Sequence, residues 1–261
     1  MLGKTIRLRR IFDQKSGNTV IVPMDHGISL GPVKGIADIR STVDKLAEGR
    51  ASAIVVHKGM VPYIGSAVGA SLGLIVHISA STSMSPDPNA KVIVASVDAA
   101  AALGADAISI HCNIGSDTED IMLSDFGMVS DRCSELGLPL LAMCYPRGKD
   151  IKDQFDVDAV KHVARLSAEL GADVVKTNYT GSIDTFKEVA NGTPVPVVIA
   201  GGPKMDSDMD LLKMVSDAMT AGARGVSIGR NVFQHDDVAM ITRAIGKIVF
   251  EGSVPEDAYR R

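Results

Sequence analysis

Short apolar runs alternate with longer helical patterns along the whole chain, and this alternation restricts the fold more than any other feature. Parallel strands buried on both faces read as nearly continuous apolar runs, and each needs a crossover, usually a helix, to reach the next. Eight such runs with helical patterns between most of them predict a closed (β/α)₈ TIM barrel. The runs occupy residues 19–24, 53–56, 74–78, 107–110, 138–143, 174–175, 195–200 and 225–228.

The chain is expected to form one domain spanning residues 1–261, because no linker-like segment divides it. A ninth run at 91–95 is assigned to an excursion between the third and fourth barrel strands. A doubly wound open sheet is the competing architecture. Its dinucleotide-binding form has no support, since no G-x-G-x-x-G follows a predicted strand.

Glycine-containing strings precede four of the strands, and amphipathic patterns mark two helices. We expect the glycine of each string to take the left-handed conformation that ends a helix. These glycines are Gly49, Gly104, Gly171 and Gly222. Helices are predicted at 157–169 and 211–220, and the second is expected to begin at a cap within 206–208.

Charge and cysteine content argue against several classes of function. A formal charge of −4 gives no reason to expect a nucleic-acid partner. The three cysteines form no Cys-x-x-Cys pair, which favours a reducing cytoplasm over a disulfide framework or structural zinc. The basic N-terminal arm, residues 1–18, has no continuous apolar segment, so no membrane partner is expected. The arm is predicted to cover one end of the domain or a neighbouring subunit.

Polar residues follow every predicted strand, where TIM-barrel enzymes carry their chemistry. Lys176 is the most informative, because a buried ammonium loses solvation and its pKa falls, leaving free amine able to attack a ketone. The alternative is a lysine whose stem reaches solvent. Asp25 and Tyr145 could face Lys176 and handle the protons of carbon–carbon bond cleavage. The alternatives are an ion pair of Asp25 with Lys58 or Arg147, and a core position for Tyr145.

Glycines and histidines at other strand ends suggest two further sites. Gly201-Gly202 and Gly229-Arg230 follow strands seven and eight, where phosphate sites of this fold form, and indicate a phosphorylated substrate. A tight turn is the alternative for the glycine pair. Imidazoles on adjacent strands could instead hold a catalytic zinc, although a His-x-His pair is absent. They are His26, His57, His77 and His111.

Five strings resemble those of the archaeal-type (DhnA) class I aldolase family, in order and over nearly the whole chain. The strings are VPMDHG at 22–27, YPRG at 145–148, VKT at 175–177, AGGPK at 200–204 and IGRNVFQ at 228–234. The resemblance implies that Lys176 forms a Schiff base, Tyr145 donates a proton and Asp25 accepts one. It also implies a sugar-phosphate site and no cofactor or metal. The binding residues would be Asp25, His26, Gly27, Ile28, Ser29, Tyr145, Pro146, Arg147, Lys176, Gly201, Gly202, Gly229 and Arg230.

Within this family the resemblance favours a transaldolase-type reaction of aromatic amino-acid biosynthesis. It would transfer a three-carbon unit of 6-deoxy-5-ketofructose 1-phosphate to L-aspartate semialdehyde and release hydroxypyruvaldehyde phosphate. Fructose-bisphosphate aldolase activity is the alternative, but members with that activity carry a tryptophan just before the tyrosine, and this chain has none. A thiolase-like relative and a non-catalytic sugar-phosphate sensor stay open. The family also implies a cytoplasmic homo-oligomer, in the form of a large ring.

Overall fold

The computed structural model describes residues 2–260, which form a closed barrel of eight parallel strands with a small hairpin beside it. The barrel order is β1-β10-β9-β8-β7-β6-β3-β2, and β1 pairs with β2 to close it. This confirms the predicted (β/α)₈ fold. The strands are β1 (Thr19–Pro23), β2 (Ala53–His57), β3 (Gly73–His77), β4 (Ser79–Ala80), β5 (Val92–Ile93), β6 (Ala107–Ile114), β7 (Leu140–Pro146), β8 (Val174–Thr177), β9 (Val197–Ala200) and β10 (Gly225–Ser227).

Helices surround the barrel and join its strands. Over residues 2–260, none of them is both long enough and apolar enough to cross a bilayer. They are α1 (Leu2–Leu8), α2 (Gly27–Leu30), α3 (Ile39–Glu48), the 3₁₀-helix Lys58–Tyr63, α4 (Val97–Ala102), α5 (Glu119–Leu136), α6 (Val157–Glu169), α7 (Ile183–Gly192), α8 (Asp208–Thr220), α9 (Arg230–Phe233), α10 (Val238–Glu251) and α11 (Pro255–Tyr259).

Two predicted helices and the excursion are found where they were expected. The helix predicted at 157–169 is α6, and α8 begins at Asp208 after Ser207, whose side chain accepts a hydrogen bond from the Asp210 backbone N–H. The ninth run forms β5, which pairs antiparallel with β4 beside the barrel mouth. The chain between β3 and β6 therefore adds a hairpin to the carboxyl end of the barrel.

Alternate residues of each barrel strand point inward, because side-chain direction in a strand repeats every two residues. The inner cluster includes Ile21, Val55, Ile75, Leu141 and Val174. The residues between them pack outward against the helices in a second cluster. Continued towards the carboxyl ends, the same alternation puts a set of polar side chains inside the mouth. They are Asp25, His57, His77, His111, Tyr145 and Lys176.

Four strands extend further than their apolar runs predicted, and one of them, β2, gains only its last residue, His57. Strand β6 continues to Ile114, β7 to Pro146 and β8 to Thr177, so His111, Tyr145 and Lys176 lie within strands and not after them. Backbone pairing is independent of side-chain polarity, and the ladder pairs Met143 with Lys176 and Asn113 with Tyr145. A strand holds these side chains more rigidly than a loop would.

The glycine prediction is correct at three of its four positions and wrong at Gly49. Gly104, Gly171 and Gly222 have φ of +87°, +93° and +103°. Gly49 instead has φ −73°, and the next residue, Arg50, takes the left-handed φ of +64°. Gly49 is required for space, because a Cβ there would lie 2.6 Å from the Cβ of Thr242.

The N-terminal segment closes the amino-terminal end of the barrel. Ile11 is 2% exposed and belongs to the inner cluster, where it fills the bottom of the barrel. The Lys4 ammonium lies 2.8 Å from the Asp173 carboxylate, and Arg10 Nε lies 2.9 Å from Asp106. The segment thus binds the loops that lead into β6 and β8.

Candidate active site

Lys176 lies in the interior of the barrel mouth. It is 7% exposed, and its Nζ is 4.0 Å from Met143 Sδ. Burial is the main cause that lowers the pKa of Lys176 to about 8; Asp25 raises this pKa, while Arg147 and Arg230 lower it further. The alternative of a lysine stem reaching solvent is therefore wrong. The amine is a candidate nucleophile because a sizeable fraction is uncharged near neutral pH.

The Asp25 carboxylate lies among imidazoles. His26 Nδ1 is 3.6 Å and His77 Nε2 is 3.8 Å from its oxygens, whereas neither Lys58 nor Arg147 forms an ion pair with it among the described residues. Burial raises the pKa of Asp25, but His77, His26 and Lys176 lower it more, and the net pKa is well below its ordinary value. Asp25 is therefore ionised at neutral pH and able to accept a proton.

Tyr145 stays protonated at neutral pH because burial raises its pKa. It is 5% exposed, and the Arg147 guanidinium carbon lies 4.4 Å from the centre of its ring. Burial raises the pKa of Tyr145, and the nearby Arg147 only partly reverses this effect. The phenol can therefore donate a proton, while Asp25 in the same mouth can accept one. Two groups with opposite pKa shifts at one site favour general acid–base chemistry.

Asp25, His57 and His77 converge closely enough to hold a metal ion. Their candidate ligand atoms all lie within 4.8 Å of one another. Burial lowers the pKa of His57 and lowers that of His77 to about 4, and Asp25 only partly opposes it. Both imidazoles are thus neutral at pH 7, the form that binds metals. His77 Nδ1 is also 2.8 Å from Ser109 Oγ, which fixes the orientation of the ring.

The other two strand-end histidines, His111 and His26, are not part of this cluster. His111 Nε2 is 2.8 Å from Asn113 Oδ1, and the Asn113 amide donates to the backbone carbonyl of Asn89. Asn113 therefore ties β6 to the excursion, and His111 is held by Asn113 on the same strand. His26 packs edge-on against Phe233, with ring centres 5.1 Å apart, which connects the loop after β1 to α9.

The loops after β9 and β10 are held together by two side chains. Arg230 Nη2 donates to the carbonyl of Gly202 at 2.9 Å, and the Asn231 amide donates to the carbonyls of Gly201 and Pro203. Arg230 Nε is buried without a hydrogen-bond partner, which favours an anion here. Gly202 has φ +63°, and the nearby space is open. Among these residues the sequence did not single out Asn231 as the organiser of the turn.

Residues of α2 and the end of β7 line the rest of the mouth. Ser29 Oγ donates to the carbonyl of Ser81, so it fastens the excursion to α2. Gly27 and Ile28 line a largely apolar cavity of about 560 Å³ whose edge includes Asp25 and His57. Pro146 is the last residue of β7, next to the inward-facing Tyr145, and Arg147 follows it at the carboxyl end of the barrel.

Lys91 is a further cation near the barrel mouth, at a position that lies outside the strand ends. It begins the ninth run, outside the barrel, and interacts electrostatically with Asp25 and Arg147. Its ammonium donates to Ser81 Oγ and to the carbonyl of Pro88. The signal available in the sequence was a cation directly after the proline-rich loop and directly before β5.

The sequence that forms this barrel and its mouth matches a known family. The model of the DeoC/LacD family aldolases matches residues 19–235. The chain belongs to this family. Membership agrees with the resemblance found in the five sequence strings, and it makes the protein an aldolase-type enzyme.

Two curated relatives are synthases of seven-carbon amino acids. The chain is 47% identical to 2-amino-3,7-dideoxy-D-threo-hept-6-ulosonate synthase 1 of Archaeoglobus fulgidus, over 95% of this chain and 92% of that protein. It is 39% identical to 2-amino-4,5-dihydroxy-6-oxo-7-(phosphonooxy)heptanoate synthase of Streptomyces griseus, over 95% of this chain and 90% of the relative.

A solved archaeal structure shares the architecture. It is a fructose-1,6-bisphosphate aldolase whose catalytic lysine is covalently bound to the carbinolamine intermediate of the substrate. The two chains are 30% identical with a TM-score of 0.88, and the match covers 95% of this chain and 99% of that one. A catalytic lysine that bonds covalently to its substrate is thus known in a protein with this fold that is 30% identical to the chain.

Proposed function

We propose that the protein is a 2-amino-3,7-dideoxy-D-threo-hept-6-ulosonate synthase that uses Lys176 as a Schiff-base amine. The observation that carries the amine mechanism is Lys176 itself, which is 7% exposed at an inner strand position of the barrel mouth, where burial lowers its pKa to about 8. A sugar-phosphate sensor would need no such amine. The substrates would be 6-deoxy-5-ketofructose 1-phosphate and L-aspartate semialdehyde, as the family resemblance implies, and a relative that is 47% identical carries the name of this synthase.

The proposed reaction begins when Lys176 attacks a ketone of the sugar phosphate and loses water to form an iminium. The C3–C4 bond then breaks, and the iminium takes the electron pair as an enamine. Asp25 accepts the hydroxyl proton as hydroxypyruvaldehyde phosphate leaves. The enamine attacks the aldehyde carbon of L-aspartate semialdehyde, the new alkoxide is protonated, and water frees the seven-carbon product and the amine.

Tyr145 and the glycine loops complete the proposed site. Tyr145 stays protonated and would supply the proton needed at the carbinolamine stage. The loops at Asp25 to Ser29, Tyr145 to Arg147, Gly201-Gly202 and Gly229-Arg230 would bind the sugar phosphate. The buried Arg230 Nε without a partner supports an anionic ligand. All these groups lie on inner strand positions or on loops at the carboxyl end of the barrel.

Reduction by borohydride in the presence of the keto-sugar phosphate tests the lysine directly. Mass spectrometry should find the adduct on Lys176, and Lys176→Ala should abolish turnover. An adduct on another lysine, or full activity of Lys176→Ala, would contradict the proposal. Phosphate binding that persists in Lys176→Ala would show that the variant keeps the site intact.

Fructose-bisphosphate aldolase activity is the second candidate, supported by the 30% identical archaeal aldolase. Against it stand the two synthases with 39% and 47% identity and the absence of tryptophan from the chain. Turnover of fructose bisphosphate and of keto-sugar phosphate with L-aspartate semialdehyde should be measured in parallel. We expect the seven-carbon amino acid from the second mixture to form at the higher rate.

The cluster of Asp25, His57 and His77 gives a metal-dependent mechanism its only structural support among the described residues. Such a metal would occupy the carboxylate that the lysine mechanism needs as a base. We expect activity to survive prolonged treatment with a strong chelator. Loss of activity that added zinc restores would instead favour the histidine site.

We also propose a cytoplasmic homo-oligomer, following the family resemblance. Support comes from α1, which is fixed to the barrel by the ion pair of Lys4 with Asp173. Its apolar residues Leu2 and Ile6 are nevertheless 75% and 53% exposed, so a neighbouring subunit would bury them. Multi-angle light scattering of the purified chain should give a mass several times that of one chain. A monomer at micromolar concentration would contradict this proposal and leave the catalytic one unaffected.

A further inference from the structure

Cationic groups lie on both sides of Lys176 around the mouth. Arg230 follows β10, two strands away from β8 in the barrel order, and Arg147 follows the adjacent β7 on the other side. Lys91 belongs to the excursion between β3 and β6 and interacts electrostatically with Arg147. The nucleophile therefore lies between two positively charged regions, of which only one contains the glycine loops.

Lys91 and Arg147 form a pair of like charges without a carboxylate partner. Arg147 contributes to lowering the pKa of Lys91, after burial, and no ion pair within 4 Å is found for either residue in the part of the chain that the structure describes. Asp25 and Asp87 raise this pKa but lie too far away to pair. Two cations held together in a partly buried place cost free energy that a bound anion would offset.

The ammonium of Lys91 is held in place by the protein. It donates to Ser81 Oγ and, at 3.0 Å, to the carbonyl of Pro88. Because an ammonium has three N–H donors, these bonds leave one to reach a ligand. The guanidinium of Arg147 is likewise positioned, by Nε donation to Gln154 Oε1 at 3.2 Å and by the Tyr145 ring. Both cations are therefore oriented before a ligand arrives.

The chemistry of the proposed function, on which this inference rests, requires one anion subsite to serve two aldehydes in turn. The departing aldehyde and the incoming one are bonded to the same carbon of the enamine, so each occupies the same space. The first carries a phosphate at its far end, and the second carries an α-carboxylate. A subsite for both needs cations near the mouth, where one aldehyde leaves and the other enters.

We propose that Lys91, together with Arg147, is the specificity-determining group that binds the anionic end of the aldehyde substrate. Lys91 thus selects an aldehyde that ends in a carboxylate or phosphate over an uncharged one.

The test is Lys91→Gln, which keeps a hydrogen-bond donor and removes the charge. A charge-assisted hydrogen bond contributes enough that kcat/KM for L-aspartate semialdehyde should fall about 10- to 100-fold. With the uncharged ketone hydroxyacetone as the donor for both aldehydes, the uncharged aldehyde propionaldehyde should be used equally well by both proteins. Lys91→Arg, which restores the charge, should recover part of the loss.

Lys149→Gln is the matched control, since it removes the same charge from the same face. Lys149 is exposed and already paired with Asp117 at 2.9 Å, so its loss should leave both substrates unaffected. Thermal unfolding of every variant should match that of the parent chain, which excludes a fold defect as the cause.

Borohydride trapping separates this inference from the proposed function. The uncharged ketone hydroxyacetone should label Lys176 equally in the parent chain and in Lys91→Gln. No label in the parent chain would contradict the proposed function itself. Normal labelling with an unchanged kcat/KM for L-aspartate semialdehyde in Lys91→Gln would overturn the role of Lys91 alone. Loss of labelling in folded Lys91→Gln would also overturn it, because Lys91 would then act on the nucleophile.

Discussion

A single amine in the barrel mouth shows how burial sets reactivity. Lys176 would be a fully charged ammonium in water near neutral pH, but desolvation lowers its pKa to about 8. The same burial raises the pKa of Tyr145, whereas the charges around Asp25 outweigh burial and keep it ionised. One environment thus gives the amine, the phenol and the carboxylate the protonation states that the proposed mechanism needs.

The rate of Schiff-base formation should rise with pH through about 8. The free amine is the reactive form and becomes dominant above the pKa of Lys176, which burial lowers to about 8. Initial rates of borohydride-trapped adduct from hydroxyacetone, measured between pH 6 and 10, should give this midpoint. A midpoint near the ordinary lysine value would show that the side chain is hydrated in solution.

Asp25→Asn should move this midpoint below 8 and slow turnover. Asp25 raises the pKa of Lys176, so removal of its charge favours the free amine. The loss of the base should reduce kcat by about 10²- to 10⁴-fold. An upward shift of the midpoint, or unchanged kcat, would contradict the role given to Asp25.

At the scale of elements, helix ends decide where strands begin. Residues after α4, α6 and α8 use a left-handed glycine, and α3 uses Arg50 in the same place. The difference follows from α10, whose Thr242 and Ala239 leave no room for a side chain at position 49. Gly49 therefore allows α3 to pack closely on α10, and Arg50 takes over the left-handed conformation that ends the helix. The result is backbone strain at Arg50.

Arg50→Gly should stabilise the protein, and Gly104→Ala should destabilise it. A non-glycine residue at positive φ costs about 1–2 kcal/mol, which exceeds the extra entropy that glycine loses on folding. The free energy of unfolding should rise by up to about 1 kcal/mol for Arg50→Gly and fall by about 1 kcal/mol for Gly104→Ala. Nothing lies within 4 Å of a Cβ at 104, so backbone strain alone acts there.

Urea unfolding of the two variants provides the measurement. The change in unfolding free energy should be positive for Arg50→Gly and negative for Gly104→Ala, although both residues follow a helix end. A less stable Arg50→Gly would mean that the exposed Arg50 side chain contributes more than the strain costs.

At the scale of the whole molecule, the two ends of the barrel serve different purposes. The amino-terminal end is closed by Ile11 and by ion pairs to Asp106 and Asp173. The carboxyl end stays open and carries titratable groups on strand after strand. Stability contacts and chemistry are thus separated along the barrel axis, as is general for this fold.

Lys4→Met should destabilise the fold without changing the pH dependence of adduct formation. Lys4 and Asp173 are largely buried, at 12% and 20% side-chain exposure, so breaking their pair should cost about 1–3 kcal/mol of unfolding free energy. Lys34→Met is the control, because its pair with Asp236 is exposed to solvent and its loss should change the unfolding free energy much less. Equal effects of the two in urea unfolding would mean that the N-terminal segment is not firmly docked in solution.

The sequence by itself determined the barrel and pointed to the residues that are proposed to react. Eight apolar runs separated by helical patterns leave a parallel barrel as the simplest way to bury them, and Lys176, Asp25 and Tyr145 fall at its strand ends because side chains alternate in strands. Only the tertiary structure decided the rest. The ionisation of these groups depends on burial and on charges brought close by other strands, and Lys91 enters the mouth from an excursion whose path no local pattern specifies. Local periodicity is read from neighbours in sequence, whereas an electrostatic environment is set by neighbours in space.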